Sequence, residues 1–359
     1  MDTATQMKKA KKRGPLARFL LWLGAALAVI LITLALLFRL ELATLLSLQT
    51  LDSHPLYKMA YAGDYGFDDF LKVGAKSDRD IERFVIQRLL KGIDLNLNIS
   101  SAGCSAFSAW NEKGERIFAR NFDFDPAPAL FLETQPDRGY ASLSIANLAF
   151  AGYGGGFLPH PKSFDSFLTL AAPYLPFDGM NEKGLAMALL AVPHAEPAQT
   201  GPGVMLNTTA IIRLVLDKAA TVDEALDLIE AHPLYFSGGV ACHYLVADAA
   251  GGSAIVEFLD GDAKITEGEG NYQAVTNFIV YNGRNEGEGG TEFERYDIIT
   301  GRLKERDGVV SQQEAVAILS EAKIPGRTQW SAVYNLTTGE VLICMGEKYG
   351  QAHSLKAAW

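Results

Sequence analysis

Phe19–Phe38 is a run of twenty residues without a charge, preceded by Lys8, Lys9, Lys11, Lys12, Arg13 and Arg18. Apolar on every side, such a segment has no polar face to turn to water and cannot cover the surface of a globular body. As a helix it is ~30 Å long, the thickness of a bilayer core, and the basic flank predicts an N-terminus kept in the cytoplasm. A cleaved signal peptide is the rival reading, but its apolar region runs ~7–15 residues and ends at a small-x-small site. No such site comes after Phe38. The expectation is a basic cytoplasmic tail (1–18), an uncleaved transmembrane anchor (19–38) that holds the chain to a membrane, and a body on the extracytoplasmic side, whether periplasm, cell surface or lumen.

The tail's six Lys/Arg and one Asp mask the acidity of the body: the whole chain carries −10, the part after Arg18 −15. Phosphate binding needs clustered basic residues, so nucleic acid is excluded as a partner. Cys104, Cys242 and Cys344 are too few for a disulfide scaffold and lack C-x-x-C spacing, and the six histidines show no H-E-x-x-H. Neither a metal site nor a cofactor is expected. With Cys104 as a free thiol, Cys242 and Cys344 either pair or pack separately as small hydrophobes. His243 beside Cys242 makes a poor dyad, because adjacent strand residues point to opposite faces.

After the anchor the pattern is α+β. Asp78–Ile93 has apolar residues at helical spacing and predicts an amphipathic helix packed on the body, whereas Arg39–Ser77 also fits a membrane-proximal stalk. Ala106–Trp110, Arg116–Phe122, Gly184–Ala191, Tyr244–Ala247 and Ala254–Phe258 read as strands, and Thr208–Ala219 as a helix. Thr221-x-x-Glu224 and Ser311-x-x-Glu314 are capping boxes that open two more helices. Asn-Glu-Lys-Gly occurs at Asn111 and again at Asn181, and both copies read as hairpin turns.

The first of these turns gives the chain its chemistry. It joins a strand holding Ser101-Ala102-Gly103-Cys104-Ser105 to one holding Arg120-Asn121-Phe122-Asp123, and so returns Arg120 and Asp123 to the side of Cys104. A thiol near pKa ~8.5 is mostly protonated at neutral pH and needs a base to become a nucleophile. An α-amine of pKa ~7.7–8.0 is well matched to that task, and it appears only when the Gly103–Cys104 peptide bond is cut. That is the layout of an N-terminal-nucleophile hydrolase, with 39–103 as connector and pro-region and 104–359 as catalytic domain. Arg120 would lower the thiol pKa, and Asp123 would orient the new ammonium. By themselves the three residues more often mean a core cysteine near a surface ion pair than a catalytic site.

Further motifs come in order: Gly179-Met180-Asn181-Glu182-Lys183-Gly184-Leu185, Val275-Thr276-Asn277 and Trp330-Ser331-Ala332-Val333-Tyr334-Asn335-Leu336. The ordered set resembles the group of linear-amide hydrolases that comprises choloylglycine hydrolase, penicillin V acylase and acyl-coenzyme A:isopenicillin N acyltransferase, related to acid ceramidase. The resemblance covers roughly Cys104–Cys344. It implies a four-layered αββα sandwich of two antiparallel sheets, a self-inflicted cut before Cys104, and an acyl-enzyme on that cysteine. It implies Cys104 as nucleophile, Arg120 and Asp123 beside it, Asn277 as an oxyanion-hole amide and Arg295, in Phe293-Glu294-Arg295-Tyr296, as a second active-site arginine. Asn277 also reads as a strand-end turn residue, and Arg295 as a surface residue paired with Glu292 or Glu294.

Bile salt hydrolases of this group carry a further asparagine ten residues after the Asn of the Gly-Met-Asn-Glu-Lys-Gly-Leu turn, and here that position is Ala191. The change argues against bile salts and leaves half of the oxyanion hole to a backbone N–H. Ala129–Leu132 and Phe150–Leu158 are apolar segments that suit an acyl pocket or, equally, core strands and a loop. With an anchor nearby, the expected substrate is a small N-acyl amide with a hydrophobic acyl group. An acyltransferase that hands the acyl group to an amine, and a non-catalytic membrane-tethered binding module, are the alternatives. A cut pro-segment would either stay docked on the catalytic chain or release it.

Overall fold

The structure is a computed structural model that describes residues 14–92, 103–193, 195–198, 200–281, 283, 290–357 and 359. The chain divides into two units, Met1–Ala43 and Thr44–Trp359. In the first, α1 (Pro15–Leu37) opens with Pro15, whose missing N–H costs nothing at a helix start. Its Arg18–Leu37 stretch has a mean hydropathy of 2.7 and no buried residue, so by length and composition it can cross a bilayer. The helix α2 (Arg39–Ser47) comes next.

The larger unit begins with β1 (Gln49–Asp52), β2 (Leu56–Ala60), α3 (Phe67–Val73) and α4 (Asp78–Arg88). Next come β3 (Gly103–Trp110), β4 (Arg116–Asp123), β5 (Ala129–Thr134) and β6 (Ser142–Asn147), then two 3-10 segments, Leu148–Ala151 and Phe164–Tyr174. The middle holds β7 (Pro176–Asn181), β8 (Leu185–Ala191), the two-residue β9 (Leu206–Asn207), α5 (Thr208–Lys218), α6 (Val222–Glu230) and β10 (Leu234–Tyr235). After the short 3-10 turn Ser237–Gly239 come β11 (Cys242–Asp248), β12 (Ser253–Leu259), β13 (Asp262–Glu267) and β14 (Gln273–Val275). The chain ends with α7 (Thr291–Glu305), α8 (Gln312–Glu321), β15 (Thr328–Asn335), β16 (Glu340–Met345) and β17 (His353–Lys356).

Two sheets carry the architecture. One has nine strands in the order β1-β2-β5-β6-β7-β8-β11-β12-β13, the other six in the order β14-β3-β4-β15-β16-β17. The sheets face each other, with Phe122 of β4 edge-on to Phe177 of β7 at 5.1 Å between centroids. Helices α5 and α6 pack on the nine-stranded sheet, and α7 and α8 on the six-stranded one. The result is an α+β sandwich. Its main core lies between the sheets and under α5, and a smaller one lies between the six-stranded sheet and α7 and α8.

Three expectations need correction. The nine-stranded sheet is not wholly antiparallel, because β2 pairs with β5 in parallel. A parallel neighbour needs a long crossover, and α3, α4 and the β3–β4 hairpin all lie between these two strands. Arg39–Ser77 is no stalk from Thr44 onward: Leu56, Met59, Phe67 and Phe70 are buried in the main core. The helix over Asp78–Ile93 stops at Arg88; Leu89 and Leu90 are buried beyond its end, and Ile93 lies outside the described residues.

Both Asn-Glu-Lys-Gly segments are hairpin turns. Asn111 Oδ1 accepts the Lys113 and Glu115 N–H groups, each at 2.9 Å, and Asn181 Oδ1 accepts those of Lys183 and Leu185 at 3.0 and 3.2 Å. In the second turn Gly184 has φ +78°, and a Cβ there would meet the Leu336 carbonyl at 2.5 Å, which fixes glycine at this point. Ser311 and Glu314 form the full capping box of α8. Thr221 caps α6, but the Glu224 carboxylate reaches past it to the Ala220 N–H. All three cysteines are free and buried, with Cys242 on the larger sheet and Cys344 on the smaller, so the pair forms no bridge.

Candidate active site

The β3–β4 register sets Gly103 opposite Asp123, Cys104 opposite Phe122 and Ala106 opposite Arg120. Side chains alternate along a strand, so Arg120 shares the inner face with Cys104 and lies diagonal to it, while Asp123 turns to the other face. Arg120 is fully buried, and its Nη2 donates to Cys104 Sγ at 2.9 Å. A buried guanidinium requires a counter-charge. Asp178 of β7 supplies it from the facing sheet, accepting from Arg120 Nη1 at 2.8 Å. The same carboxylate accepts from Trp330 Nε1 at 3.3 Å and from the Tyr334 hydroxyl.

On the other side of the cysteine, Arg295 of α7 is 4% exposed and holds three groups with one fork. Its Nη1 donates to Cys104 O at 2.8 Å and to Asp123 Oδ2 at 3.0 Å, and its Nη2 donates to Asn277 Oδ1 at 2.6 Å. Asp123 also accepts from the Thr328 hydroxyl at 2.5 Å. Asn277, two residues beyond β14, accepts the Cys104 N–H at 2.8 Å, and its Nδ2 donates to Ala191 O at 2.5 Å. Arg295 is thus no surface residue paired with Glu292 or Glu294.

The sequence singled out Cys104, Arg120, Asp123, Asn277 and Arg295, and the structure gathers all five. Three of them hold the cysteine: Arg120 at the sulfur, Asn277 at the amide nitrogen, Arg295 at the carbonyl oxygen. Burial pushes the Cys104 thiol above its ordinary pKa, and the pull of Arg120 only partly offsets it. Burial likewise raises Asp123 despite Arg295, and Asp178 despite Arg120. Cys104 is therefore held as a thiol, and among the described residues no carboxylate or imidazole is hydrogen-bonded to its sulfur.

Asp178 and Thr328 escaped the sequence reading, and Trp330 and Tyr334 were named there without a place in the site. Asp178 directly precedes the Gly179-Met180-Asn181 motif, and Trp330 and Tyr334 belong to the Trp330–Leu336 motif at even spacing. Strand alternation could have put those two aromatics on the inner face, but which strand they face is not written in the spacing.

Beside the site lies an apolar cavity of about 40 Å³. Phe124, Phe150, Phe177, Leu189 and Cys242 line it, with Ile81 from α4 and with Ala191, whose carbonyl holds Asn277. Ala129–Leu132 is buried core strand, and of Phe150–Leu158 only Phe150 reaches the cavity. Among the described residues no group of three or more His, Cys, Asp or Glu could hold a metal ion.

A family model described as acyl-coenzyme A:6-aminopenicillanic acid acyl-transferase matches residues 159–291, a stretch that contains Asn277 but not Cys104. A penicillin V acylase from Pectobacterium atrosepticum is 34% identical over 111 residues, 28% of this chain and 29% of that protein. The chain thus matches less than a third of that relative's length. Two crystal structures of a conjugated bile acid hydrolase from Clostridium perfringens superpose with a TM-score of 0.51 at 15% and 14% identity, over 70% of this chain and 92% of theirs. At that identity the likeness is one of fold. Family model, relative and fold together show the resemblance first read from the ordered motifs, to the group of choloylglycine hydrolase, penicillin V acylase and acyl-coenzyme A:isopenicillin N acyltransferase.

Proposed function

We propose that the chain is a self-processing cysteine amidohydrolase that cleaves the linear amide bond of an N-acyl compound. The observation that carries this reading is the threefold hold on Cys104 by Arg120, Asn277 and Arg295. Hydrolysis of the Gly103–Cys104 bond converts the Cys104 amide into a primary amine and releases Gly103 as a carboxylate. That amine takes the thiol proton, and the thiolate attacks the substrate carbonyl while Arg120 stabilises the sulfur charge. Asn277 Nδ2 donates to the developing oxyanion. The Cys104 ammonium then protonates the leaving amine, an acyl thioester forms, and water, deprotonated by the same amine, releases the acid. Asp123 and Arg295 orient the amine and the Cys104 carbonyl.

The relative is named a penicillin V acylase, and the bile acid hydrolase shares the fold, which supports amide hydrolysis. The apolar wall of Phe124, Phe150, Phe177 and Leu189 supports a hydrophobic acyl group. The family model carries the name of an acyl-transferase, which favours a second reading in which an amine resolves the thioester. We assign α1 as the membrane anchor and 104–359 as the catalytic chain, on the extracytoplasmic side. The segment before the cut stays docked, because β2 is paired inside the larger sheet and Tyr65 Oη donates to the buried Asp217 at 2.7 Å.

Intact mass and N-terminal sequencing of the wild type against Cys104→Ala test the reading. A fragment that begins at Cys104 in the wild type and is missing from the variant is expected, together with hydrolysis of N-acyl amides. An uncut wild type at every pH leaves the thiol without its base and favours the binding module. Added amines that divert the acyl group at the expense of the free acid would mark a transferase.

A further inference from the structure

Asn277 lies in the link between β14 and α7, and the link is pinned on both sides of it. Thr276 Oγ1 donates to Glu292 O at 2.8 Å, at the start of α7. Phe278 stacks obliquely on Phe293 at 4.6 Å. On the downstream side the pin is a carboxylate: Val280 N–H donates to both oxygens of Glu257 at 2.9 and 3.1 Å, and Tyr281 N–H to one of them at 2.6 Å. Glu257 stands on β12, opposite His243 of β11, whose Nδ1–H donates to Glu257 Oε1 at 3.0 Å. Both side chains are 0% exposed, and His243 Nε2 has no hydrogen-bond partner among the described residues.

This arrangement is a poor way to stabilise a fold. An apolar pair of similar volume on two neighbouring strands is commonly as stable as a buried ionisable pair, and an unpartnered buried ring nitrogen adds a cost that stays uncompensated. What the carboxylate does uniquely is accept two successive main-chain N–H groups of one loop, three and four residues after Asn277. An oxyanion donor works only when held ~2.7–3.1 Å from where the charge develops, and a donor on a loop needs such support.

We infer that Glu257, oriented by His243, is a positioning residue for Asn277, clasping the Val280–Tyr281 backbone so that the Asn277 amide is held at a fixed depth beside Cys104. The inference rests on the assignment of Asn277 as oxyanion donor. Glu257 acts through the loop, and neither it nor His243 contacts Cys104 in the network above.

The test uses the full chain after self-cleavage, with turnover expressed per alkylatable Cys104. Glu257→Gln keeps the shape but turns an N–H₂ group toward the loop in place of one acceptor. It should lower kcat about tenfold and leave KM within about twofold, the pattern of a disturbed transition-state contact. His243→Leu should behave alike, and His243→Gln, which restores a donor to Glu257, should recover most of the loss. A kcat unchanged in Glu257→Gln, or a loss confined to KM or to the fraction of folded protein, would overturn the inference while wild-type hydrolysis upholds the amidase reading. If the wild type hydrolyses no amide, that reading fails, and the clasp is then judged by hydrogen exchange. The Val280 and Tyr281 amides should exchange at least about tenfold faster in the Glu257 and His243→Leu variants, and unchanged rates sink the clasp.

Discussion

Asn277 Oδ1 accepts the backbone N–H of Cys104 at 2.8 Å, a bond between residues 173 positions apart. The donor in that bond is the nitrogen that the proposed cut converts from amide to amine. Under that proposal the side chain that receives the amide N–H here would become a neighbour of the new amine, and its Nδ2 would serve substrate once it left the Ala191 carbonyl.

Asn277→Asp separates these duties. The carboxylate still accepts from Cys104 and Arg295 but has no N–H to offer an oxyanion. Steady-state kinetics of the processed variant should show kcat lower by about 10²–10³ with KM little changed. A loss within about threefold would remove Asn277 from the oxyanion hole.

Asp178 is the only carboxylate among the described contacts of Arg120. Asp178→Ala leaves a fully buried guanidinium without a counter-charge and strands the Tyr334 hydroxyl and the Trp330 N–H. Urea denaturation should show a loss of about 3–5 kcal/mol. Tyr334→Phe, which removes one donor and keeps the ion pair, should cost about 1 kcal/mol.

The raised pKa of Cys104 gives a pH signature. A thiol whose pKa lies above the ordinary value remains protonated through neutral pH, so iodoacetamide should label Cys104 of the uncut chain appreciably only in the alkaline range. After the cut, the amine draws off the proton and the labelling profile should move to lower pH. Measured side by side, two superimposable profiles would contradict the role of the amine as base.

Much of this site could be read from the chain. An Asn-x-x-Gly turn between two strand-like runs fixes register, and register alone brings Arg120 and Asp123 to Cys104. Asn277 and Arg295 came from motif order, since no local pattern ties residue 277 to residue 104. What stayed hidden is what crosses from one sheet to the other or arrives from before the cysteine. Asp178 meets Arg120 only because the sheets stack, and β2 joins β5 in parallel because the intervening chain leaves the sheet and returns. Glu257 was invisible for a further reason: its partners in the loop are main-chain N–H groups, which carry no residue identity.

The β2–β5 ladder has a bearing on how the protein can be produced. A polypeptide that started at Cys104 would lack β1 and β2, and β5 would become the outermost strand of its sheet. Its bare N–H and C=O groups would then flank Leu130, Phe131 and Leu132, side chains that are 0% exposed in the whole protein. Unpaired apolar edges of this kind template strand addition by other chains. The segment ahead of Cys104 thus works as a built-in edge cap, and the larger fragment made alone is expected to aggregate where the same fragment, cut from the full chain after folding, keeps its β5 edge covered.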